Sequence, residues 1–377
     1  MGSILAAERA RGDVDVLSRA ALDLDEFMGE ATAAIRRAVP WEGACVGTHD
    51  PATAMLTSGR KYGSLVGSDT HDALFATLEY NSPDQSSFRS LARSDHDAIG
   101  MRVTLPDDIA RSERMNVLMR PQFGFSDEAR LVFRDGQGMW GGLALFRGHD
   151  DAWFTEDDIA FLASLSGSMA RGVRAGVLAR LTGPALVDAG TGGPAVVIVD
   201  AADEVTHISV GAEERLAQLH ASEHLMDPLG LVHALVAAAR ASLHTPGAPL
   251  PRARIRTASG MWLVVHAAPL AARDGSTSQV VVTIEEARPP EIVELVVAAF
   301  GLTPRERDVT RLVLQGVETK EIATTLHVSA YTVQDHLKAV FDKAGVRSRR
   351  DLISRIYFDQ YVPRLGTAVS TSGWFAD

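Results

Sequence analysis

Residues 301–357, GLTPRERDVTRLVLQGVETKEIATTLHVSAYTVQDHLKAVFDKAGVRSRRDLISRIY, carry helix start and stop signals so closely spaced that few folds remain open to them. Pro304 suits a first helical turn, Gly316 a C-terminal cap, Thr319 an N-cap ahead of Lys320 and Glu321, and Ser329 an N-cap for the next helix. Within that helix Val333, Leu337, Val340, Phe341 and Ala344 form an inward stripe. Gln334, Asp335 and Lys338 then share the outward face, and Thr332, His336 and Lys343 lie on its flank. The stretch reads as a small bundle of short helices.

Charge divides the chain in the same place. Residues 301–364 hold 11 Lys/Arg against 8 Asp/Glu, a balance of +3, within a chain of net charge -11. An acidic body therefore ends in a mildly basic module, the asymmetry expected if the C-terminal part alone meets phosphate. At 377 residues, two or three domains are expected. A composition 46% hydrophobic and 23% charged excludes global disorder. The single Cys45 forms no internal disulfide, and no apolar run approaches the roughly 20 residues of a membrane span. With no leader-like opening, these features give an expectation of a cytoplasmic protein with no membrane partner.

Ahead of the module the pattern alternates between helical and strand periods. Residues 1–21 show no clear core stripe and are expected to be a weakly ordered or partner-docked lead-in. Leu24, Phe27, Met28, Ala31, Ala34, Ile35 and Ala38 recur at helical spacing up to Pro40. GACVGTHD (43–50) and TAMLTSG (53–59) read as a hairpin across Asp50-Pro51, and Asp135-Gly136 turns a second hairpin within 129–148. Thr155 and Asp158 make a capping box that opens one helix over 154–181, about 26 residues or some 40 Å if unbroken. Its stripe is Ile159, Leu162, Leu165, Met169, Val173 and Val177. After a Gly-rich break at 188–194 come strand, acidic turn and strand (195–209), then helices at AEERLAQL and 231–243. Three more strands follow, RARIRT, MWLVVHAA and QVVVTIEE, joined at Ser259-Gly260 and at 273–276. EARPPE (286–291) marks the boundary before the C-terminal helices.

The segment 301–357, with LTPRE and KEIA each opening a helix, VSAYTV across a turn and AGVRSR before a last helix, resembles the DNA-binding domain of the LuxR family of bacterial transcription regulators. The resemblance covers about one-sixth of the chain. It implies a four-helix helix-turn-helix whose third helix enters the major groove and whose last helix dimerises. Base reading would then fall to Gln334, Asp335 and Lys338, and phosphate contact to Lys320, Thr332, His336 and Lys343. Dimer contact would fall to Leu352, Ile353, Ile356 and Tyr357. Where this family commonly has Lys the chain has Gln334, followed by Asp335 in place of a small or apolar residue, so its base recognition differs from a typical family site. By order of elements, residues 22–181 resemble a GAF sensory domain and 182–290 a PAS-like domain. The expected whole is a multidomain α+β chain: lead-in 1–21, GAF-like 22–181, PAS-like 182–290, helix-turn-helix 291–365 and a tail at 366–377.

No phosphate-binding GKS or GKT loop occurs, a receiver domain would need parallel βα repeats, and residues 185–287 contain no Cys for covalent flavin chemistry. Cys45 and His49 share a strand face but are two residues, too few for a metal site; His71-Asp72 and His96-Asp97 read as polar surface. Trp140 and Trp262 fall on strands, where they pack in a core or line a ligand cavity. No cofactor, metal or catalytic residue is expected. The expected function is a dimeric transcription factor binding double-stranded DNA, with a small-molecule ligand or a partner acting on the sensor-like domains. The alternatives are an enzymatic or nucleotide-binding body whose C-terminal module serves assembly, and an autoinducer receptor.

Overall fold

A computed structural model describes residues 2–81, 84–107, 109–179, 194–219, 228–245, 247–257, 261–271 and 279–358. The turns expected at Ser259-Gly260 and 273–276, the Gly-rich break at 188–193 and the tail lie outside the described residues.

The chain opens with α1 (Gly2–Leu17) and α2 (Leu24–Ala38). The first unit then adds β1 (Gly43–His49), β2 (Leu56–Gly63), α3 (Asp72–Asn81), the short helix α4 (Phe88–Leu91), β3 (Ala98–Gly100) and the short helix α5 (Met101–Thr104). A π-helical turn (Arg114–Met119) leads through α6 (Arg120–Phe123) into the long hairpin β4 (Phe125–Asp135) and β5 (Gly138–Gly148). Helices α7 (Glu156–Ala163) and α8 (Ser166–Ala179) close the unit. Its five strands pair antiparallel in the order β2-β1-β5-β4-β3.

The second unit repeats that order. Strands β6 (Ala195–Val199) and β7 (Val205–Ile208) precede α9 (Ala212–Leu219) and α10 (Pro228–Ser242), and β8 (Arg252–Arg256), β9 (Trp262–Leu270) and β10 (Gln279–Glu286) complete a sheet ordered β7-β6-β10-β9-β8. Helix α11 (Pro289–Ala299) connects it to α12 (Pro304–Leu314), α13 (Thr319–Thr325), α14 (Ala330–Ala344) and α15 (Arg349–Ile353) with its π-turn Ser354–Phe358.

Three expectations change. Residues 2–17 are a packed helix: Ala10 and Val14 are buried, and Asp13 and Asp15 pair with Arg37 (2.6 Å) and Arg171 (2.8 Å). Its buried face is a few small residues, too narrow a stripe to read by period. Strand β2 starts at Leu56 because 50–54 close a turn on Asp50, with Ala54 at φ 54. The helix expected over 154–181 breaks at Ser164-Leu165, yet Ile159, Leu162, Leu165, Met169 and Val173 still reach one core. Gly172 lets α8 lie on α2, since a Cβ there would sit 2.0 Å from the Phe27 ring.

Inside the first unit runs a buried ionic network. Glu128 accepts from Arg114 Nη2 (2.8 Å) and Arg130 Nε (2.7 Å), and Glu79 accepts from Arg130 Nη2 (2.8 Å) and Arg114 Nη1 (3.2 Å). Asp84 adds a third carboxylate 3.4 Å from Arg114. Burial alone lowers the Arg130 pKa, but Glu128 and Glu79 outweigh it and hold the group above the ordinary arginine value.

The two units share a core. Over residues 231–239 helix α10 is buried all round, with its own sheet on one side and α3 on the other, so that Met55, Leu56, Ala76 and Tyr80 join its apolar residues in one cluster. At the edge Asp50 takes a bidentate pair from Arg254 on β8 (2.6 and 2.7 Å), and Arg254 Nη1 continues to the Glu291 carbonyl on α11 (3.0 Å). The β4–β5 turn meets the α11–α12 junction: Gln137 Nε2 donates to the Leu302 carbonyl (3.1 Å), while Arg174, paired to Asp135 (3.0 Å), lies against Gly301. Gly301 is at φ +65, where glycine is unstrained.

Candidate DNA-binding site

The site is assembled from caps. Thr303 Oγ1 accepts from the Glu306 amide (3.3 Å) and Glu306 Oε2 accepts from the Thr303 amide (2.7 Å), a capping box that starts α12 behind Pro304. Ser329 caps α14 by accepting from the Thr332 amide (3.0 Å), and Gly345 ends it in the left-handed region at φ 64. Helix α13 begins one residue earlier than the sequence signals indicate: Glu318 is its N-cap, without a side-chain bond, and Thr319 is the first helical residue. Between α13 and α14 the chain reverses through His327 at φ 55, one of few non-glycine residues there.

Helix α14 divides as its spacing requires. Val333, Leu337, Val340 and Ala344 are buried against α12 and α13, while Gln334, Asp335 and Lys338 are exposed on one face. Tyr331, 76% exposed, belongs to the same face. Residues 331, 334, 335 and 338 are related by i, i+3, i+4 and i+7, so the readable stripe begins one turn earlier than the polar residues alone indicated. An aromatic at an outward phase in the first turn was the available signal. Thr332 and His336 are half-buried on the flank, and Lys320 is exposed on α13.

One of the expected phosphate contacts is engaged elsewhere. The Lys343 ammonium is bonded to Glu306 (2.6 Å), tying the end of α14 to the start of α12, so its charge is engaged within the module. Burial raises the Glu306 pKa, yet Lys343 and the Thr303 amide outweigh it and leave it below the usual carboxylate value; this contribution is full above that usual value and is lost as pH falls through the lowered one. Among the described residues the ion pairs of the module join Arg305 and Arg311 to Asp308 and Lys343 to Glu306, and Asp335 and Lys338 are not among them.

Leu352 and Ile356 are 0% and 1% exposed, and Ile353 and Tyr357 are half-buried. An open apolar stripe was expected of these four, but α11 packs over the terminal turn and takes Leu352 and Ile356 into the chain's own core. Ile356→Ala is therefore expected to lower the stability of the module by about 2–4 kcal/mol in a urea titration. Unchanged stability with weaker dimerisation would restore the interface reading.

His49 lies in the wall between the two sheet units, and burial pushes its imidazole down to about 3, leaving it neutral. Cys45 is half-buried, and burial pushes its thiol up to about 12. No group of three or more His, Cys, Asp or Glu able to hold a metal occurs among the described residues.

With the geometry in place, the comparisons with known proteins bear on the module alone. The family model described as bacterial regulatory proteins, luxR family, matches residues 301–356. The spore germination protein GerE of Bacillus subtilis is 42% identical over 52 residues, which are 14% of this chain and 70% of GerE. The chain belongs to the luxR family. A helix-turn-helix-type transcriptional regulator of Mycobacterium tuberculosis is 54% identical over 53 residues, and the transcriptional regulatory protein DesR of Bacillus subtilis 39% over 67. The matched stretch spans 6% of that mycobacterial relative and 34% of DesR. Among solved structures, VqmA bound to DPO is 18% identical over 44% of this chain and 85% of that one (TM-score 0.22), and the bacteriophytochrome RpBphP3 from R. palustris is 12% identical over 76% and 63% (TM-score 0.28). At these scores neither likeness assigns a fold to the luxR-family chain ahead of residue 301.

Proposed function

We propose that this luxR-family chain is a transcription regulator that reads double-stranded DNA with the exposed face of α14, under the control of the two sheet units. The carrying observation is the single stripe of Tyr331, Gln334, Asp335 and Lys338, turned to solvent while the opposite face of the helix is buried. Its chemistry matches base edges in the major groove: an amide for adenine, an amine for guanine, a carboxylate for the cytosine amino group and an aromatic for the thymine methyl. Lys320, Thr332 and His336 flank the stripe where the phosphates would run, with Lys343 available only by exchange from Glu306.

The first unit is taken as GAF-like and the second as PAS-like, a reading supported by the shared strand order and the helices packed on each sheet. Such regulators act as homodimers in the cytoplasm, and a small molecule or a partner held by the sheet units would shift the population of the DNA-competent form. No catalysis is assigned.

Selection from a random duplex pool tests the reading, since enrichment of one sequence is expected and recovery of none would end it. Within the selected site, Asp335→Ala should relax preference at one base pair by about 1–3 kcal/mol and leave the others unchanged. Uniformly tighter binding to every sequence would instead make Asp335 a repulsive group against non-specific DNA. Lys320→Ala should weaken all sequences alike and reduce the slope of log K against log salt by about 0.9. A changed base preference at constant slope would move Lys320 out of the phosphate set.

A further inference from the structure

Between the two sheet units lies a partly enclosed cleft with about 80 Å³ of space, walled by Trp140 and Val173 from the first unit, Leu231 and Trp262 from the second, and Leu295 from α11. Its wall mixes these apolar side chains with polar ones, among them Asp25, Arg60, Arg256 and the Asp50–Arg254 pair. The two indoles differ. Trp140 Nε1 donates to Asp135 (3.1 Å), so Trp140 offers only its ring to an occupant. Trp262 is 7% exposed, and its Nε1 finds no hydrogen-bond acceptor among the described residues. A buried N–H donor without an acceptor costs about 1–3 kcal/mol, and native cores rarely keep one without a use.

We propose that this cleft is a ligand site for a small planar molecule, a single ring carrying a hydrogen-bond-accepting oxygen, which accepts from Trp262 Nε1 and packs against the Trp140 ring. The size follows from the space, room for about six waters and hence for one ring with its substituent. The acceptor follows from the unanswered donor. A smaller cavity inside the first unit, about 30 Å³ beside Cys45, fits less well because its one amine, Lys61, is already held by Asp72 (2.5 Å) and Asp69 (2.9 Å). Occupancy of the cleft touches both sheet units and α11 at once, so a ligand there biases the helix that carries the DNA module. In this the site rests on the regulatory reading above and gives it a location.

Calorimetric titration of the full chain with benzoate and with benzamide tests the site. Saturable binding of at least one is expected, weakened roughly fivefold or more by Trp262→Phe, which keeps an aromatic ring but removes the donor with the pyrrole half of the indole. Cys45→Ala, in the smaller cavity, should leave binding unchanged. No saturable heat from either compound, or equal binding by Trp262→Phe, overturns the site, as does loss of binding in Cys45→Ala alone. DNA selection by the same preparation separates the two readings: enrichment without probe binding ends the cleft site and leaves the regulator standing, and probe binding without enrichment does the reverse.

Discussion

Replacing Glu128 by alanine is expected to lower the stability of the first sheet unit by roughly 3–5 kcal/mol. The carboxylate is fully buried and bonds both Arg114 Nη2 and Arg130 Nε, two side chains that are themselves 0% exposed. Its removal takes the acceptor from buried Arg130 Nε and leaves Arg114 Nη2 only Ser86, while Glu79 and Asp84 still balance the two charges. Because Glu79 also accepts from the Phe88 amide (2.6 Å), the loss spreads from β4 to the start of α4. A thermal midpoint lower by roughly 10 °C is expected, at about 2–4 °C per kcal/mol. Glu30→Ala, on the exposed side of α2, should stay within about 0.5 kcal/mol. A Glu128→Ala protein as stable as Glu30→Ala would show that water reaches the network.

Asp50→Ala is expected to undo the joint between the sheet units at a similar cost of about 3–5 kcal/mol, because Arg254, 2% exposed, would stay buried without its counter-ion. Denaturation that begins as one transition should separate into two as the units lose their coupling. The double variant Asp50→Ala with Arg254→Met replaces the ion pair by apolar contact and should recover much of the loss, a non-additivity that two independent sites would not show. If the double variant is as unstable as Asp50→Ala alone, the cost lies in the turn that Asp50 closes at residues 50–55 and not in the joint. DNA binding by Asp50→Ala should also become less responsive to any occupant of the cleft, since Arg254 is the group that reaches the Glu291 carbonyl on α11.

The C-terminal module was legible because its information is local. Pro304 in the first turn of α12, the cap at Ser329 and a stripe at Val333, Leu337 and Val340 act within one or two turns of chain, so reading the residues in order is enough to place these helices. The hairpin at Asp135-Gly136 and the stripe of α2 were legible for the same reason. What failed to read locally was whatever depended on a distant partner. The stripe of Leu352 and Ile356 looks identical in sequence whether α11 or a second copy covers it. Lys343 reads as a free cation until Glu306, 37 residues away, is brought to 2.6 Å.

The same division runs through the body of the chain. Its apolar runs and turn residues indicated roughly where most of the strands would lie, but not β3, three residues long, which is too short to show a period of two. That α10 is covered by α3 of the other unit, that Asp50 lies 204 residues from the Arg254 it neutralises, and that Trp262 keeps a donor without an acceptor beside a cleft were decided only when the units docked. Apolar burial and charge pairing carry no direction along the chain, so the sequence determined which surfaces had to be covered, and the tertiary structure alone decided by what.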